Sequence, residues 1–373
     1  MKSTLEFSNQ LLLAIFLALA PAALASTTWY VNGVSGSNKN NCKSPEEACK
    51  TIGHAISLAA SGDAIMVAAA TYNEHLTIGI SLKVIGSSAA TTIIDGGGLG
   101  HQGHVVTISA GAQVALSNFT VQNGWVNGTG SGIANAGTLL VNNCIVTKNT
   151  ARGVTNPGVG AGIQNGGVLT LNNSTVSGNA VNGVFGAGVG GGLGNQGVAT
   201  INNSTFSGNS ATSIGGGIYV DYGATVTINN STFSGNQSQL SFGGGSIDNN
   251  NGKATIQNSI VANSPSGVNC YSVAPITITS KGYNLSSDNS CNFNGPGDLN
   301  DTEPKLGTLG NHGGPTPTIP EMLDSPTVDA GNPSGCRDSQ GHLLKTDQRG
   351  YPRPGKDKHD HRCDMGAYER QTD

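Results

Sequence analysis

The fold is decided by a motif that recurs between Leu139 and Asn263. Its copies read VNNCIVTKN, LNNSTVSGN, INNSTFSGN, INNSTFSGN and IQNSIVANS, and a glycine cluster with an aliphatic residue separates most of them. A period of roughly 20–50 residues is typical of stacked repeat units. The equivalent positions, at steps of 30, 30, 27 and 28 residues, are Cys144, Ser174, Ser204, Ser231 and Ser259.

Alternation of apolar and polar residues predicts three short strands in each coil. Side chains alternate between the two faces of a strand, so every second residue is expected to point inward. Three strands in a turn of 27–30 residues predict an all-β parallel β-helix, in which each strand pairs with its equivalent one coil later. Each of the three faces has a predicted inward column. The first face has Leu116, Val141, Leu171, Ile201, Ile228 and Ile256; the second has Val121, Val146, Val176, Phe206, Phe233 and Val261; the third has Ile133, Ile163, Leu193, Ile218 and Ile247.

Asparagines recur at two corners of the predicted coil. Their amides can bond along the stack and to the bent backbone, and we favour such ladders over glycosylation at the many N-x-Ser/Thr sequences. The first corner column is Asn143, Asn173, Asn203, Asn230 and Asn258. The second is Asn135, Asn165, Asn195, Asp221 and Asn250, each two residues before a glycine (Gly137, Gly167, Gly197, Gly223, Gly252) that we expect to adopt a positive φ.

The chain divides into four parts. Residues 1–25 are predicted to be a signal peptide, because Lys2 precedes an apolar run that ends at the small residues Ala23-Leu24-Ala25. A membrane anchor needs roughly 20 apolar residues, and this run is shorter. Residues 26–110 hold a predicted capping helix, 52–60, and the first coils; the strands expected there are 64–68, 76–80, 82–85 and 92–94. The repeats occupy 111–268, and 269–373 form a C-terminal cap or module.

Seven cysteines fit an oxidising compartment. Cys144 occupies a column that is serine in the other coils, so it is predicted to be a buried free thiol. The remaining six make three local pairs, although spacing does not fix connectivity. Those pairs are Cys42 with Cys49, Cys270 with Cys291, and Cys336 with Cys363.

Composition excludes some classes of function. The net charge of −4 and the 11% of charged residues give no basic surface for nucleic acid. After the signal peptide, the sequence has no apolar run long enough to cross a membrane.

Two stretches resemble known families. The GGGI cluster and FSGN ending of the repeat resemble polymorphic outer membrane proteins of the chlamydial type. GYNLSSDNSC (282–291), GNHGGPTPT (310–318), SPTVDAGN (325–332), DQRGYPRP (347–354) and CDMGAYE (363–369) resemble the choice-of-anchor Q module of bacterial secreted proteins. These resemblances imply a right-handed, pectate-lyase-like β-helix on an exported or cell-surface protein. Most such proteins have no assigned activity, and no anchor is recognisable here.

Catalytic residues are scarce in the coils. Between Gly96 and Asn251 the only acids are Asp221 and Asp248, and the only cations are Lys148 and Arg152. Glycoside hydrolysis needs two convergent carboxyl groups, and a lyase needs a base with cations that neutralise a uronate. We interpret Asp221 and Asp248 as ladder residues, and keep them as the candidate carboxylates if the protein is an enzyme.

The sequence evidence for a metal site is also weak. His101 and His104 have a ligand-like spacing without a third ligand, and His359-Asp360-His361 is interpreted as a solvated loop. No cofactor is predicted; calcium at Asp298, Asp301 and Glu303 is the alternative.

The leading hypothesis is a secreted or cell-surface, non-catalytic structural or adhesion module whose partners are glycans or other surface components. The alternatives are a polysaccharide lyase or hydrolase, and a glycan-binding protein that uses outward threonine ladders. Those ladders are Thr170, Thr200, Thr227 and Thr255 on one face, and Thr175, Thr205 and Thr232 on the next.

Overall fold

The protein is a right-handed parallel β-helix. The computed structural model describes residues 26–153, 158–183, 188–275, 277–355 and 362–371. The predicted signal peptide and the His359-Asp360-His361 segment lie outside these ranges. Within them, no helix has the length and apolar character needed to cross a bilayer.

Three long parallel sheets, which we call A, B and C, form the walls of the helix. Sheet A contains β1 (Thr28–Val31), β2 (Ala64–Val67), β5 (Leu82–Gly86), β8 (Gln113–Ser117), β12 (Thr138–Asn142), β17 (Val168–Asn172), β22 (Val198–Asn202), β26 (Thr225–Asn229), β30 (Lys253–Gln257) and β33 (Ile278–Ser280). Sheet B contains β3 (Ala70–Asn73), β6 (Thr92–Asp95), β9 (Thr120–Gln122), β13 (Ile145–Thr147), β18 (Thr175–Ser177), β23 (Thr205–Ser207), β27 (Thr232–Ser234), β31 (Ile260–Ala262) and β34 (Leu285–Ser286). Sheet C contains β4 (Leu76–Ile78), β7 (Val106–Ile108), β11 (Ile133–Asn135), β16 (Ile163–Asn165), β21 (Leu193–Asn195), β25 (Ile218–Val220), β29 (Gly244–Asn249) and β32 (Val268–Ser272).

The core confirms the predicted inward columns. The three columns pair in register, one coil to the next, and their side chains are buried in a single apolar cluster. Phe206 and Phe233 stack with their ring centroids 4.9 Å apart. Like side chains therefore repeat along the axis at the ~4.8 Å spacing of paired strands.

A capping helix closes the N-terminal end, as predicted. Helix α1 (Ile52–Leu58) begins at Thr51, whose side chain accepts a hydrogen bond from the backbone N–H of His54, and it is shorter than expected. It buries Ile52 and Ala55 and packs against β1, β2 and β4. The first coil therefore has an apolar neighbour on its open side.

The coils contain a further strand that the repeat pattern did not predict. Two extra sheets, D and E, follow sheet B and lie outside the three-sided core. Their strands are β10 (Trp125–Asn127), β14 (Thr150–Gly153), β19 (Ala180–Gly183), β24 (Ser210–Ala211) and β28 (Gln237–Ser238) in sheet D, and β15 (Gly158–Val159) and β20 (Gly188–Val189) in sheet E. They enclose a small apolar cluster of Val126, Ala151, Ala161 and Val181.

The C-terminal segment first completes one more coil and then folds back along the outside of the β-helix. Strands β32, β33 and β34 extend sheets C, A and B. Residues 306–355 and 362–371, which we call the C-terminal module, then pack on the outer face of sheet B. Gln348 accepts a hydrogen bond from the Thr205 hydroxyl at 2.7 Å and donates to Thr175 Oγ1 at 2.9 Å, and the Ala367 N–H donates to Thr232 Oγ1 at 3.0 Å.

This packing corrects one hypothesis from the sequence. Thr175, Thr205 and Thr232 do form an outward ladder, but they are at most 1% exposed. The C-terminal module covers them, so they are not a free glycan-binding face.

The predicted disulfides are confirmed: Cys42–Cys49, Cys270–Cys291 and Cys336–Cys363 are bonded. Cys144 is a buried free thiol, as expected. Burial raises the pKa of Cys144 to about 12, although backbone N–H groups near it act in the opposite direction. Its thiol is therefore unreactive at neutral pH.

A polar groove on sheet A as the candidate functional site

The corner asparagines shape the surface around the candidate site. Asn143, Asn173, Asn203, Asn230 and Asn258 have φ values between 48° and 52°, a left-handed conformation that asparagine tolerates better than most residues. The glycines of the other corner were predicted to adopt a positive φ, and this prediction was wrong for four of the five. Of those five glycines only Gly223 has a positive φ, whereas a Cβ at Gly167 would lie 2.0 Å from a backbone oxygen.

The predicted asparagine ladders are only partly continuous. In the first column, Asn203 donates a hydrogen bond to Asn173 at 2.8 Å and Asn258 donates one to Asn230 at 3.0 Å. The column is interrupted between them, because the Asn230 amide donates to Arg337 O instead. The second column bonds from Asn135 through Asn165 to Asn195, at 2.7 and 2.8 Å.

Asp221 and Asn250 do not belong to that second column, which corrects the predicted register. Asn195 lies opposite Val220, and Val220 lies opposite Asn249. The cause is a longer turn between sheets C and A: the step from Ile218 to Thr225 is seven residues, whereas the step from Leu193 to Val198 is five. Aligning the chain on its glycines therefore shifts Asp221 by one position.

Two unbroken ladders were missed by the sequence analysis. The outward ladder Asn142, Asn172, Asn202, Asn229 has three bonds of 3.0 Å. The buried ladder Asn149, Asn179, Asn209, Asn236 has three bonds of 2.9 Å. Each of these copies of the motif ends in an asparagine, and that repetition could have predicted the buried ladder.

The candidate carboxylates Asp221 and Asp248 lie in different environments. Asp248 points outward from β29 but is 0% exposed. Its Oδ2 accepts the Gly244 N–H at 2.9 Å, and its Oδ1 has no hydrogen-bond partner among the described residues. Burial raises the pKa of Asp248 to about 6, and the Gly244 N–H limits that rise. A substrate cannot reach this carboxyl group in the present conformation.

Asp221 instead joins a hydrogen-bonded chain on the turn after β25. It accepts bonds from Gln196 Nε2 at 3.2 Å and from the Tyr219 hydroxyl at 3.2 Å. Asn250 Nδ2 donates to the same hydroxyl at 2.7 Å. Burial is the main cause that raises the pKa of Tyr219 to about 12. Asp221 thus serves as an acceptor in a surface network.

Two of the residues weighed as metal ligands make local hydrogen bonds. His104 Nδ1 lies 2.8 Å from Gly130 O, and Asp298 accepts bonds from Asn284, Gly295 and Ser280. The only described trio of metal-ligating side chains in close proximity is Cys42, Cys49 and His54, whose sulfurs are already joined to each other. Calcium at Asp298, Asp301 and Glu303 stays the alternative to the prediction of no cofactor.

The outer face of sheet A carries two neighbouring polar ladders. The predicted ladder Thr170, Thr200, Thr227, Thr255 is confirmed in register, half-buried, and continued by Thr279. Beside it runs the outward asparagine ladder. Part of this face forms the floor of a cavity of about 500 Å³, which we call the groove.

One wall of the groove comes from the C-terminal module. Asp338, Ser339, Gln340 and Leu344 line it. The wall is fixed at both ends, because Cys336 is bonded to Cys363 and the corner amides of Asn230 and Asn203 donate to Arg337 O and Thr346 O. The site therefore exists only because two distant parts of the chain meet.

The groove lining is almost free of charge. Among the described residues that line it, Asp338 is the only titratable one. Partial burial acts to raise the pKa of Asp338, but hydrogen bonds from His342 and Gln340 outweigh it and hold the pKa below its ordinary value. The rest of the floor and rim offers amide and hydroxyl groups, which donate and accept hydrogen bonds without ionising.

A shallower apolar pocket of about 350 Å³ continues the groove toward the N-terminal end. It shares Thr170 with the groove and includes Ala115, Leu140 and Lys83. From Lys83 to Thr200 the outward column advances through four coils, or about 19 Å at ~4.8 Å each.

Comparisons with known proteins give only distant likenesses. No protein-family model matches the chain, and no curated protein sequence matches it. The solved structures that it resembles include pectate lyase Pel9A, with 15% identity, a TM-score of 0.45, and coverage of 93% of this chain and 98% of that one. Pectin methylesterase PemA from Erwinia chrysanthemi has 12% identity, a TM-score of 0.39, and coverage of 71% and 90%. The likeness is one of fold alone.

Proposed function

We propose that the protein is a secreted, non-catalytic β-helix module that adheres to neutral polysaccharide through the groove on sheet A. The observation that carries the proposal is the composition of the groove, where ladders of amides and hydroxyls face Asp338, the only titratable residue in the described part of the lining. Sugar hydroxyl groups are matched by such donors and acceptors.

Binding without turnover follows from the same lining. Hydrolysis of a glycosidic bond generally requires an acid and a second carboxylate about 5 to 10 Å apart. Asp338 is alone, and its oxygens already accept bonds from its own loop. The two other candidate carboxylates, Asp221 and Asp248, do not line the groove.

An extended chain suits the shape of the site. The groove and its apolar continuation run along the helix axis for about 19 Å, and the floor repeats once in each coil. We expect a linear glycan to lie parallel to the axis, with its ring faces on Ala115 and Leu140 and its hydroxyl groups toward Thr170 and Thr200. Secretion fits the three disulfides, which form in oxidising compartments. Membership of the two families that the sequence resembles stays a prediction.

The test is a panel of neutral and anionic polysaccharides, scored both for adsorption of the protein and for release of soluble oligosaccharides. We expect retention on a neutral polymer and no release. In the double variant Thr170→Ala/Thr200→Ala, binding should weaken by roughly thirtyfold, at about 1 kcal/mol for each of the two hydrogen bonds lost.

Thr255→Ala is the matched control, since Thr255 belongs to the same ladder but does not line the groove. Equal loss in the control variant would show that the groove is not the binding site. Release of oligosaccharides would instead identify a polysaccharide-active enzyme.

A further inference from the structure

A second cavity lies at the C-terminal end of the β-helix and shares no lining residue with the groove. It has a volume of about 720 Å³. Its walls are β32 and β33, the last strands of sheets C and A, together with the loop 290–294. The Cys270–Cys291 disulfide ties this loop to β32. We call it the terminal cavity.

Two aromatic rings at the terminal cavity remain exposed. Phe242 is 64% exposed and Tyr271 is 38% exposed. A fold usually buries such rings, and exposed aromatic area beside a concave surface is characteristic of a binding site. The volume lies within the range of roughly 300–1,000 Å³ that small-molecule pockets occupy.

The polar groups of the cavity are neutral. Asn292, Asn294 and Thr279 line its exposed rim. Ser272 also lines it, and its buried Oγ has no hydrogen-bond partner within the described chain. Among the described residues that line the cavity, none carries a charge.

We propose that the terminal cavity binds a neutral sugar ring. Exposed aromatic faces pack against the C–H face of a sugar, while amides and hydroxyls at the edge bond to its hydroxyl groups. The absence of charged side chains in the lining disfavours uronates and phosphosugars, because their charge would be desolvated without a partner. The same ring can come from a free monosaccharide or from the end of a glycan chain.

The experiment uses the full chain with the groove weakened by Thr170→Ala/Thr200→Ala. Glucose, galactose, mannose, xylose and their linear hexamers are tested by saturation-transfer NMR, followed by titration. We expect at least one neutral sugar to bind, and Tyr271→Ala or Phe242→Ala to weaken it by about three- to tenfold, the effect of one aromatic contact. Tyr271→Phe should retain binding. A monosaccharide that binds as well as its hexamer indicates a free sugar; preference for the hexamer indicates a chain end.

Tyr222→Ala is the matched control, because Tyr222 is 80% exposed but does not line the cavity. Absence of binding by every sugar would overturn the proposal. So would an equal loss in Tyr222→Ala, or unchanged binding in both Tyr271→Ala and Phe242→Ala when their unfolding midpoints match that of the parent. Failure of the groove proposal alone leaves these outcomes unchanged, since Tyr271 and Phe242 do not line the groove and every variant carries the same groove substitutions.

Discussion

The substitution Asp248→Asn should stabilise the protein at neutral pH. Asp248 is fully buried, and only one of its oxygens has a hydrogen-bond partner among the described residues. Asparagine keeps the shape of the side chain and an oxygen that can accept the Gly244 N–H. It removes the buried charge.

The magnitude follows from the pKa. Burial raises the pKa of Asp248 from 3.8 to about 6, which corresponds to about 3 kcal/mol at ~1.4 kcal/mol per pKa unit. The unfolded chain releases its proton near pH 3.8 and the folded chain only near pH 6, so the free energy of unfolding falls across this window and stays low above it. The new amide can itself lack a partner, at a cost of roughly 1 kcal/mol or more. We therefore expect a net stabilisation of about 1–2 kcal/mol at pH 7.5, and none near pH 3.5.

The assay is urea unfolding of the parent and the variant at pH 3.5, 5 and 7.5. Asp301→Asn is the control, since Asp301 is exposed and has a positive φ that asparagine tolerates; its stability should stay close to the parent's at each pH. An Asp248→Asn protein that is less stable than the parent at pH 7.5, or whose gain does not grow with pH, would refute the reasoning.

Three further predictions concern the ladders and the C-terminal module. Asn179→Ala breaks the buried ladder on both sides and should lower the free energy of unfolding by about 2–4 kcal/mol, measured in urea. Asn172→Ala on the outer ladder should lower it by about 1 kcal/mol. Equal losses would contradict the expected difference between the buried and the outer ladder. Burial raises the pKa of Glu369 to about 7 despite its Arg353 partner, and burial also raises the pKa of Glu321 well above its ordinary value. The module should therefore lose hydrogen-exchange protection as the pH rises from about 4.5 through 7, and rising protection would refute this. Reducing Cys336–Cys363 frees one anchor of the groove wall and should weaken polysaccharide retention without lowering the unfolding midpoint of the coils; a matching drop in both would contradict it.

Much of the fold follows from the sequence because repetition specifies it directly. The inward columns could be read from period-two alternation, and the buried free Cys144 from its serine column. The sequence pattern does not predict the strands of sheets D and E, because segments such as Thr150–Gly153 are short and bury few apolar side chains. The predicted position of Asp221 was wrong because the repeats were aligned on their glycines. That alignment does not reveal that the turn between β25 and β26 is two residues longer than the preceding one.

The candidate site could be predicted only in part. The ladder of Thr170 and Thr200 was evident from the repeat. The groove wall was not, because the contact of Asn203 with Thr346 joins residues 143 positions apart, and no periodicity links the module to the coils. The same cause hid the covering of Thr205 by Gln348.

The most direct test of the central claim is a combined measurement of binding and turnover on a neutral polysaccharide to which the parent protein adsorbs. We predict saturable retention by the parent and by Thr255→Ala, weakened retention by Thr170→Ala/Thr200→Ala, and no new reducing ends or unsaturated products over prolonged incubation. Retention that the groove variant leaves intact, or product that accumulates with the parent, would contradict the account.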